Sequence, residues 1–134
     1  MKNKRRILIA ATALTFLTAC QSTPLPTKEP QSMYGLIGKI KTNPGQRDAL
    51  ASILLQATQN MPGCLSYIVA ADPGNDDALW ITEIWDSAES HQASLHLPAV
   101  KAALVAGRPL IAGFGERFET HPVGGFGTQL IQKP

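Results

Sequence analysis

The 134-residue sequence predicts an α+β domain with the ferredoxin-like βαββαβ order, in which helices cover one face of a four-stranded antiparallel sheet. Three observations predict it. Short β-prone runs and helically spaced apolar stripes follow one another as strand, helix, strand, strand, helix, strand. The two middle strands are joined by Asp72-Pro73-Gly74-Asn75-Asp76-Asp77, a run dense in turn formers, whereas the outer connections are helical. The third strand carries large apolar side chains on both faces: Leu79, Ile81 and Trp85 point one way, Trp80 and Ile84 the other. A sheet with one face in water alternates more cleanly, so a partner sheet is expected on the open face, and with it a homodimer.

The elements follow in order. Met33–Lys41 is the first strand. Asn43-Pro44-Gly45-Gln46 is expected to start a helix, with Asn43 as cap, Pro44 in the first turn and Gln46 as capping-box partner. Leu50, Ile53, Leu54, Ala57 and Met61 make its apolar stripe, and Pro62-Gly63 stops it. Cys64–Ala71 is the second strand and Ala78–Trp85 the third. Asp86 and Glu89 have capping-box spacing for a helix running to about Leu97. Pro98 opens a second short helix with Val100 and Leu104 on one face, ended by Gly107-Arg108-Pro109. Phe114–Thr120 is the last strand.

The flanks differ in character. Lys2, Lys4, Arg5 and Arg6 precede 13 uncharged residues, Ile7–Ala19, long enough for a signal-peptide core and short for a membrane span. The stretch closes on Leu17-Thr18-Ala19-Cys20, which resembles the lipobox of bacterial lipoproteins. That resemblance implies a signal peptide over residues 1–19, cleavage before Cys20, and lipid on that cysteine as a stable anchor. The location implied is extracytoplasmic. Gln21 after the cysteine, rather than an aspartate, implies the periplasmic side of the outer membrane in a cell that has one. An ordinary secretory signal or an uncleaved anchor is the alternative. Residues 20–32, with Pro24, Pro26 and Pro30, read as the lipidated cysteine and a flexible linker. Residues 33–121 are one small domain, and 122–134, with Gly124, Gly125 and Gly127, a flexible tail.

The formal charge of +2 is misleading: four of the 12 basic residues precede Ile7, leaving eight against ten acidic ones, a balance of −2 after cleavage. No basic run survives, so neither nucleic acid nor anionic lipid headgroups are expected partners. With Cys20 lipidated, Cys64 is alone and no internal disulfide is expected; it reads as a small buried strand residue, with a reactive thiol or a cross-subunit disulfide as the alternative. No CxxC, His-x-x-x-His or EF-hand spacing is present, so no metal is expected. No Gly-x-Gly-x-x-Gly opens a helix, and no bound cofactor is expected.

Glu83-Ile84-Trp85-Asp86-Ser87-Ala88-Glu89-Ser90-His91, followed by Leu95, Pro98-Ala99-Val100 and Gly107-Arg108-Pro109-Leu110-Ile111, resembles the antibiotic biosynthesis monooxygenase family. Gly38-Lys39-Ile40, Pro44-Gly45 and Pro62-Gly63-Cys64 fit as well, so the resemblance covers residues 33–120. It implies a dimeric α+β barrel of ferredoxin-like subunits. Activities in that family include cofactor-free oxidation of quinols and polyketide aromatics and the degradation of haem, and some members have none shown. The haem-degrading branch uses a first-strand asparagine and a helix histidine ten residues beyond a tryptophan. Met33–Lys41 has no asparagine, and His91 and His96 lie six and eleven residues after Trp85. The expected activity is therefore oxidation of a small aromatic or quinol-type substrate by O₂ beside a membrane.

Such chemistry needs an apolar pocket for an aromatic ring, a base, and a dry place for the anion. The candidate catalytic residues are His91 as base, Trp85 against the ring and Arg108 for an anionic oxygen. Tyr67, Phe114, Phe118 and Glu83 are candidate substrate-binding residues. Each has a structural alternative: Trp85 as core, Tyr67 as packing at a dimer contact, His91 as a helix-surface residue, Arg108 as a cation at a helix C-terminus. Glu83 is either in the site or paired with a base such as Arg117 on another strand, the pairing being favoured. A catalytic site requires His91, Trp85 and Arg108 to converge on one cavity. A non-catalytic binding or structural domain, the alternative function, lets them scatter.

Overall fold

The computed structural model describes residues 32–128. The signal peptide, Cys20, most of the linker and the last six tail residues fall outside them. The elements are β1 (Tyr34–Thr42), α1 (Arg47–Ala57), β2 (Cys64–Ala71), β3 (Ala78–Trp85), α2 (Ala88–Ser94), α3 (Pro98–Gly107), a 3₁₀ turn (Arg108–Leu110) and β4 (Ile111–Thr120). The sheet order is β2-β3-β1-β4, with every pair antiparallel. This is the ferredoxin-like α+β arrangement that the pattern predicts.

Alternation sorts the side chains of the sheet. Leu36, Gly38 and Ile40 of β1 lie opposite Glu83, Ile81 and Leu79 of β3, while Tyr67 and Val69 of β2 lie opposite Glu83 and Ile81. Leu79 and Ile81 pack with Leu50 of α1 as the centre of the core, joined by Ile40, Leu54, Val69 and Ile111. Full burial of a leucine such as Leu50 contributes about 1.5–3 kcal/mol. Gly107 places α3 so close to Leu50 that an added Cβ would lie 2.9 Å from its Cδ1. The opposite face of the sheet carries the cross-strand row Ile68–Thr82–Ile37–Phe118, with Ile68 and Phe118 exposed at its two ends.

The helix starts differ from the sequence reading. Gln46 N–H donates to the Asn43 carbonyl at 3.0 Å, and Gly45 has φ +75°, so Asn43–Gln46 closes a turn and α1 begins at Arg47. Left-handed backbone at Gly45 cannot continue a right-handed helix. The Asn43 amide instead donates to Pro109 O at 2.9 Å, tying β1 to the turn after α3. At α2 the cap is Ser87, not Asp86: Ser87 has extended backbone and its Oγ accepts from Ser90 N–H. Asp86 Oδ1 accepts in turn from Ser87 Oγ.

β4 starts at Ile111, three residues before the expected start, and is irregular. Gly38 pairs with Arg117 but Ile40 with Phe114, so two residues of β4, Gly115 and Glu116, oppose one of β1, Lys39, a bulge. That extra residue decides which β4 side chains reach the helix side.

Candidate active site

A cavity of about 330 Å³ lies between the helix-side face of the sheet and the three helices. Its walls are chiefly aliphatic, with Leu36, Ile40, Leu54, Ile81, Val100 and Leu104 among them. Polar groups gather in two places. His91 is buried and the Glu83 side chain is 11% exposed, whereas Glu116 and Arg117 stand exposed on β4. Phe114, 74% exposed, borders the opening on β4, and Leu95 and Leu104 border it from the helices.

Three local devices build the buried polar group. In β3, Ile81, Glu83 and Trp85 alternate onto the helix side, which carries a carboxylate inward between two apolar residues. The α2 start is seated against Gly63, whose φ of +82° and missing Cβ let Ser90 approach, since a Cβ there would lie 2.5 Å from the serine side chain. The Ser87 cap then fixes the first turn, so that His91 and Ser94, three apart, face inward.

The geometry is compact. Trp85 Nε1–H donates to Glu83 Oε2 at 2.8 Å. His91 Nε2 lies 3.8 Å from the same oxygen, within ion-pair range but beyond a hydrogen bond. The imidazole sits between two rings, Trp85 edge-on at 5.5 Å and Tyr34 tilted at 5.2 Å. Trp85 is 1% and His91 8% exposed. His91 Nδ1 is buried with no hydrogen-bond partner among the described residues. A buried nitrogen without a partner costs about 1–3 kcal/mol and marks a place where a ligand could supply the missing bond.

Burial pushes the Glu83 carboxyl above its ordinary 4.5, against the opposing pull of the Trp85 indole N–H, His91 and Arg117. Burial, and then the Glu83 charge, raise the Tyr67 hydroxyl as well, so it stays a phenol. The same two causes push the Cys64 thiol up to about 11, which keeps it protonated and a poor nucleophile at neutral pH. At the rim, Arg117 Nη1 pairs with Glu119 Oε1 at 2.7 Å, and Tyr34 reaches the same pair.

Of the candidate residues, the structure brings His91, Trp85, Glu83, Tyr67 and Phe114 to one cavity. It does not bring Arg108, which is exposed at the end of α3 and absent from the lining. Phe118 is also outside: the bulge turns Phe114 inward, while Phe118 pairs with Ile37 on the open face. Tyr67 lies on the helix side, so it is not at a contact made through the open face. The favoured Glu83–Arg117 pairing is corrected as well, since Arg117 takes Glu119 and Glu83 takes Trp85 and His91. Tyr34 was missed, although it faces Trp85 in the β1–β3 register. Among the described residues no group of three His, Cys, Asp or Glu side chains could hold a metal ion.

The family model for antibiotic biosynthesis monooxygenases matches residues 33–106. A solved structure from Chloroflexus aurantiacus, provisionally described as an antibiotic biosynthesis monooxygenase, is 62% identical. The match covers 73% of this chain and 100% of that one, with a TM-score of 0.71. The whole of that relative's solved chain falls within the match. A structure from Deinococcus radiodurans with the same provisional description is 25% identical over 69% of this chain and 95% of its own, TM-score 0.58. One from Caulobacter crescentus, 22% identical over 71% and 93%, TM-score 0.64, supports the fold. No curated protein matches the chain.

Proposed function

The chain belongs to the antibiotic biosynthesis monooxygenase family, and from that membership and its cavity we propose that it oxidises a small aromatic or quinol-type substrate with O₂, without a bound cofactor. One observation carries the reading. His91, which has an unpartnered imidazole nitrogen and is backed by the Glu83 carboxylate and the Trp85 indole, lines an apolar cavity large enough for a ring. The substrate hydroxyl donates to His91 Nδ1, which takes the proton. Glu83, 3.8 Å from Nε2, stabilises the imidazolium that results, and Trp85 holds the carboxylate in place. The anion is left between aliphatic walls, where an electron-rich ring passes an electron to O₂ directly.

For a hydroquinone the balance is quinol plus O₂ to hydroxyquinone plus water. The ring carbon and O₂ join as a hydroperoxide. The proton that completes this hydroperoxide comes back from His91, and as the O–O bond breaks the oxygenated ring carbon gives up its own hydrogen as a proton, so that water leaves and the ring keeps one oxygen atom. Four electrons come from the substrate and no other reductant is needed.

Two further readings complete the proposal. Lipid on Cys20 tethers the domain outside the cytoplasm, on the periplasmic side of an outer membrane, which the lipobox-like Leu17–Cys20 supports. Two copies pair through the open sheet face, which exposed Ile68 and Phe118 support.

The test is O₂ uptake by the purified protein with a panel of hydroquinones and polycyclic phenols. Uptake above autoxidation that is lost in His91→Ala supports the oxidase and its base together. No uptake across the panel moves the protein to the non-catalytic, ligand-binding reading.

A further inference from the structure

Between Glu89 and Glu116 the chain contains no acidic residue, and its lysine and arginine there are Lys101 and Arg108, both exposed. This stretch holds most of α2, all of α3 and the start of β4. In α3, Ala103 and Gly107 are buried and Val100 and Leu104 turn to the cavity. The outward side is nevertheless apolar: Ala102, Val105 and Ala106 are exposed there, Val105 by 76%. Apart from Lys101 α3 is apolar all round, and such a helix belongs in an interior or against another apolar phase. The exposed side chains of Leu95, Leu104 and Phe114 border the cavity opening, and Val105 adjoins Leu104. The apolar surface thus runs from inside the cavity, over its rim, to the outside of α3. Scattered surface leucines need no explanation, but an apolar patch centred on a cavity mouth marks an interaction site.

We infer that this face docks on a phospholipid bilayer carrying anionic headgroups, with the cavity mouth against the lipid. Local charge favours this occupant against the expectation from the −2 balance of the whole: the stretch that forms the patch carries Lys101 and Arg108 and no acidic residue, which suits a negative interface. Glu116, the acidic side chain on the rim, lies across the opening on β4, where it faces Lys39. The sequence before the domain allows the pose. Residues 21–32 reach at most about 40 Å when fully extended, roughly one domain diameter, so an anchor at Cys20 does not prevent this face from turning to the membrane. The inference deepens the proposed function and rests on it for one point, the substrate: a quinol dissolved in the lipid passes into the cavity without crossing water.

The experiment is flotation of the domain from residue 21 onward, which lacks Cys20, with vesicles of phosphatidylglycerol and phosphatidylcholine. The domain is expected to float with these vesicles and about fivefold less with phosphatidylcholine alone. Val105→Glu with Lys101→Glu, both exposed and outside the cavity lining, is expected to abolish flotation with an unchanged melting temperature. Failure of the unsubstituted domain to float overturns the inference, and so does flotation of the double variant. A fall in sedimenting mass in the double variant, without flotation of the parent, assigns the face to a second copy instead. Uptake of O₂ with a water-soluble hydroquinone is read without vesicles. Loss of uptake with flotation intact overturns the chemistry alone, and the reverse result overturns the docking alone.

Discussion

Two charge pairs stand at the same cavity, one of them reaching it through Arg117 alone, and they differ in nearly every respect. Arg117–Glu119 at the rim is short, 2.7 Å, with both side chains more than half exposed. His91–Glu83 is long, 3.8 Å, with side chains 10% and 11% exposed. Distance alone ranks the rim pair first, and the physics reverses the order. Water and salt screen the exposed pair, and ordering two mobile side chains offsets most of its attraction. In the buried pair the local dielectric is low, so each added or removed proton has a large energetic consequence. The carboxylate there is pushed up by burial, whereas Glu119 is held down by the guanidinium beside it. Chemistry belongs where an ionisation is expensive and the surroundings are fixed.

The largest effect tests what fixes the buried pair. Trp85 packs at 1% exposure and holds Glu83 by its indole N–H. Trp85→Ala is expected to cost about 3–5 kcal/mol in urea unfolding, through lost packing and the cavity left behind. A cost below 1 kcal/mol would mean that the buried end is not rigid and that the contrast with the rim is overstated. His91→Ala comes next: quinol-dependent O₂ uptake is expected to fall about a hundredfold, in the range for loss of a general base. Its loss of stability should be well below that of Trp85→Ala. Equal losses of activity and stability would make His91 a packing residue.

The sequence carried the buried end better than the rim, for a physical reason. β3 is regular, so alternation from Ile81 through Glu83 to Trp85 put all three on one face, while His91 stood only as a candidate on a helix whose cap was read as Asp86 rather than Ser87. The β3 inference uses only the strand period of the backbone. The rim depends on β4, where one extra residue between the Arg117 and Phe114 pairings shifts the faces. Simple alternation groups Phe114 with Phe118 and hides Arg117; the bulge separates the two phenylalanines and brings Arg117 in. Arg108 failed differently. A cation at a helix C-terminus has a dipole reason to be there, and nothing in the local pattern aims it at a site. The capping errors were shifts within a few residues, made where several cap-forming residues stand together, as in Asp86-Ser87.

Glu83→Gln separates function from stability at the buried end. The amide oxygen can still accept from Trp85, but the charge facing His91 is gone. Uptake of O₂ is expected to fall about tenfold, because the imidazolium loses its partner. Stability should move the other way. The folded-state pKa of Glu83 is raised, so the folded protein holds the proton more tightly than the unfolded chain does. The stabilisation from that proton is complete below the ordinary 4.5 and is lost as the pH rises through the folded value. Glu83→Gln should therefore be at least as stable as the parent at pH 7, with the relation turning in the parent's favour as the pH falls towards 4.5. Loss of both activity and stability at neutral pH would show that the hydrogen bond and ion pair outweigh desolvation.

The smallest effect belongs to the rim. Arg117→Gln removes a guanidinium that lines the cavity but already has Glu119 as its partner. An exposed pair of this kind is expected to leave the melting temperature unchanged, equally at low salt and at about 1 M salt, where the screening length is roughly 3 Å. Hydroquinone turnover should change little, because Glu119 already offsets the charge that a phenolate would use. A large drop in turnover with unchanged stability would give Arg117 the anion-stabilising role first assigned to Arg108. That result would place the oxygen-bearing end of the substrate at the rim, with its ring inward, and reverse the orientation that His91 otherwise sets.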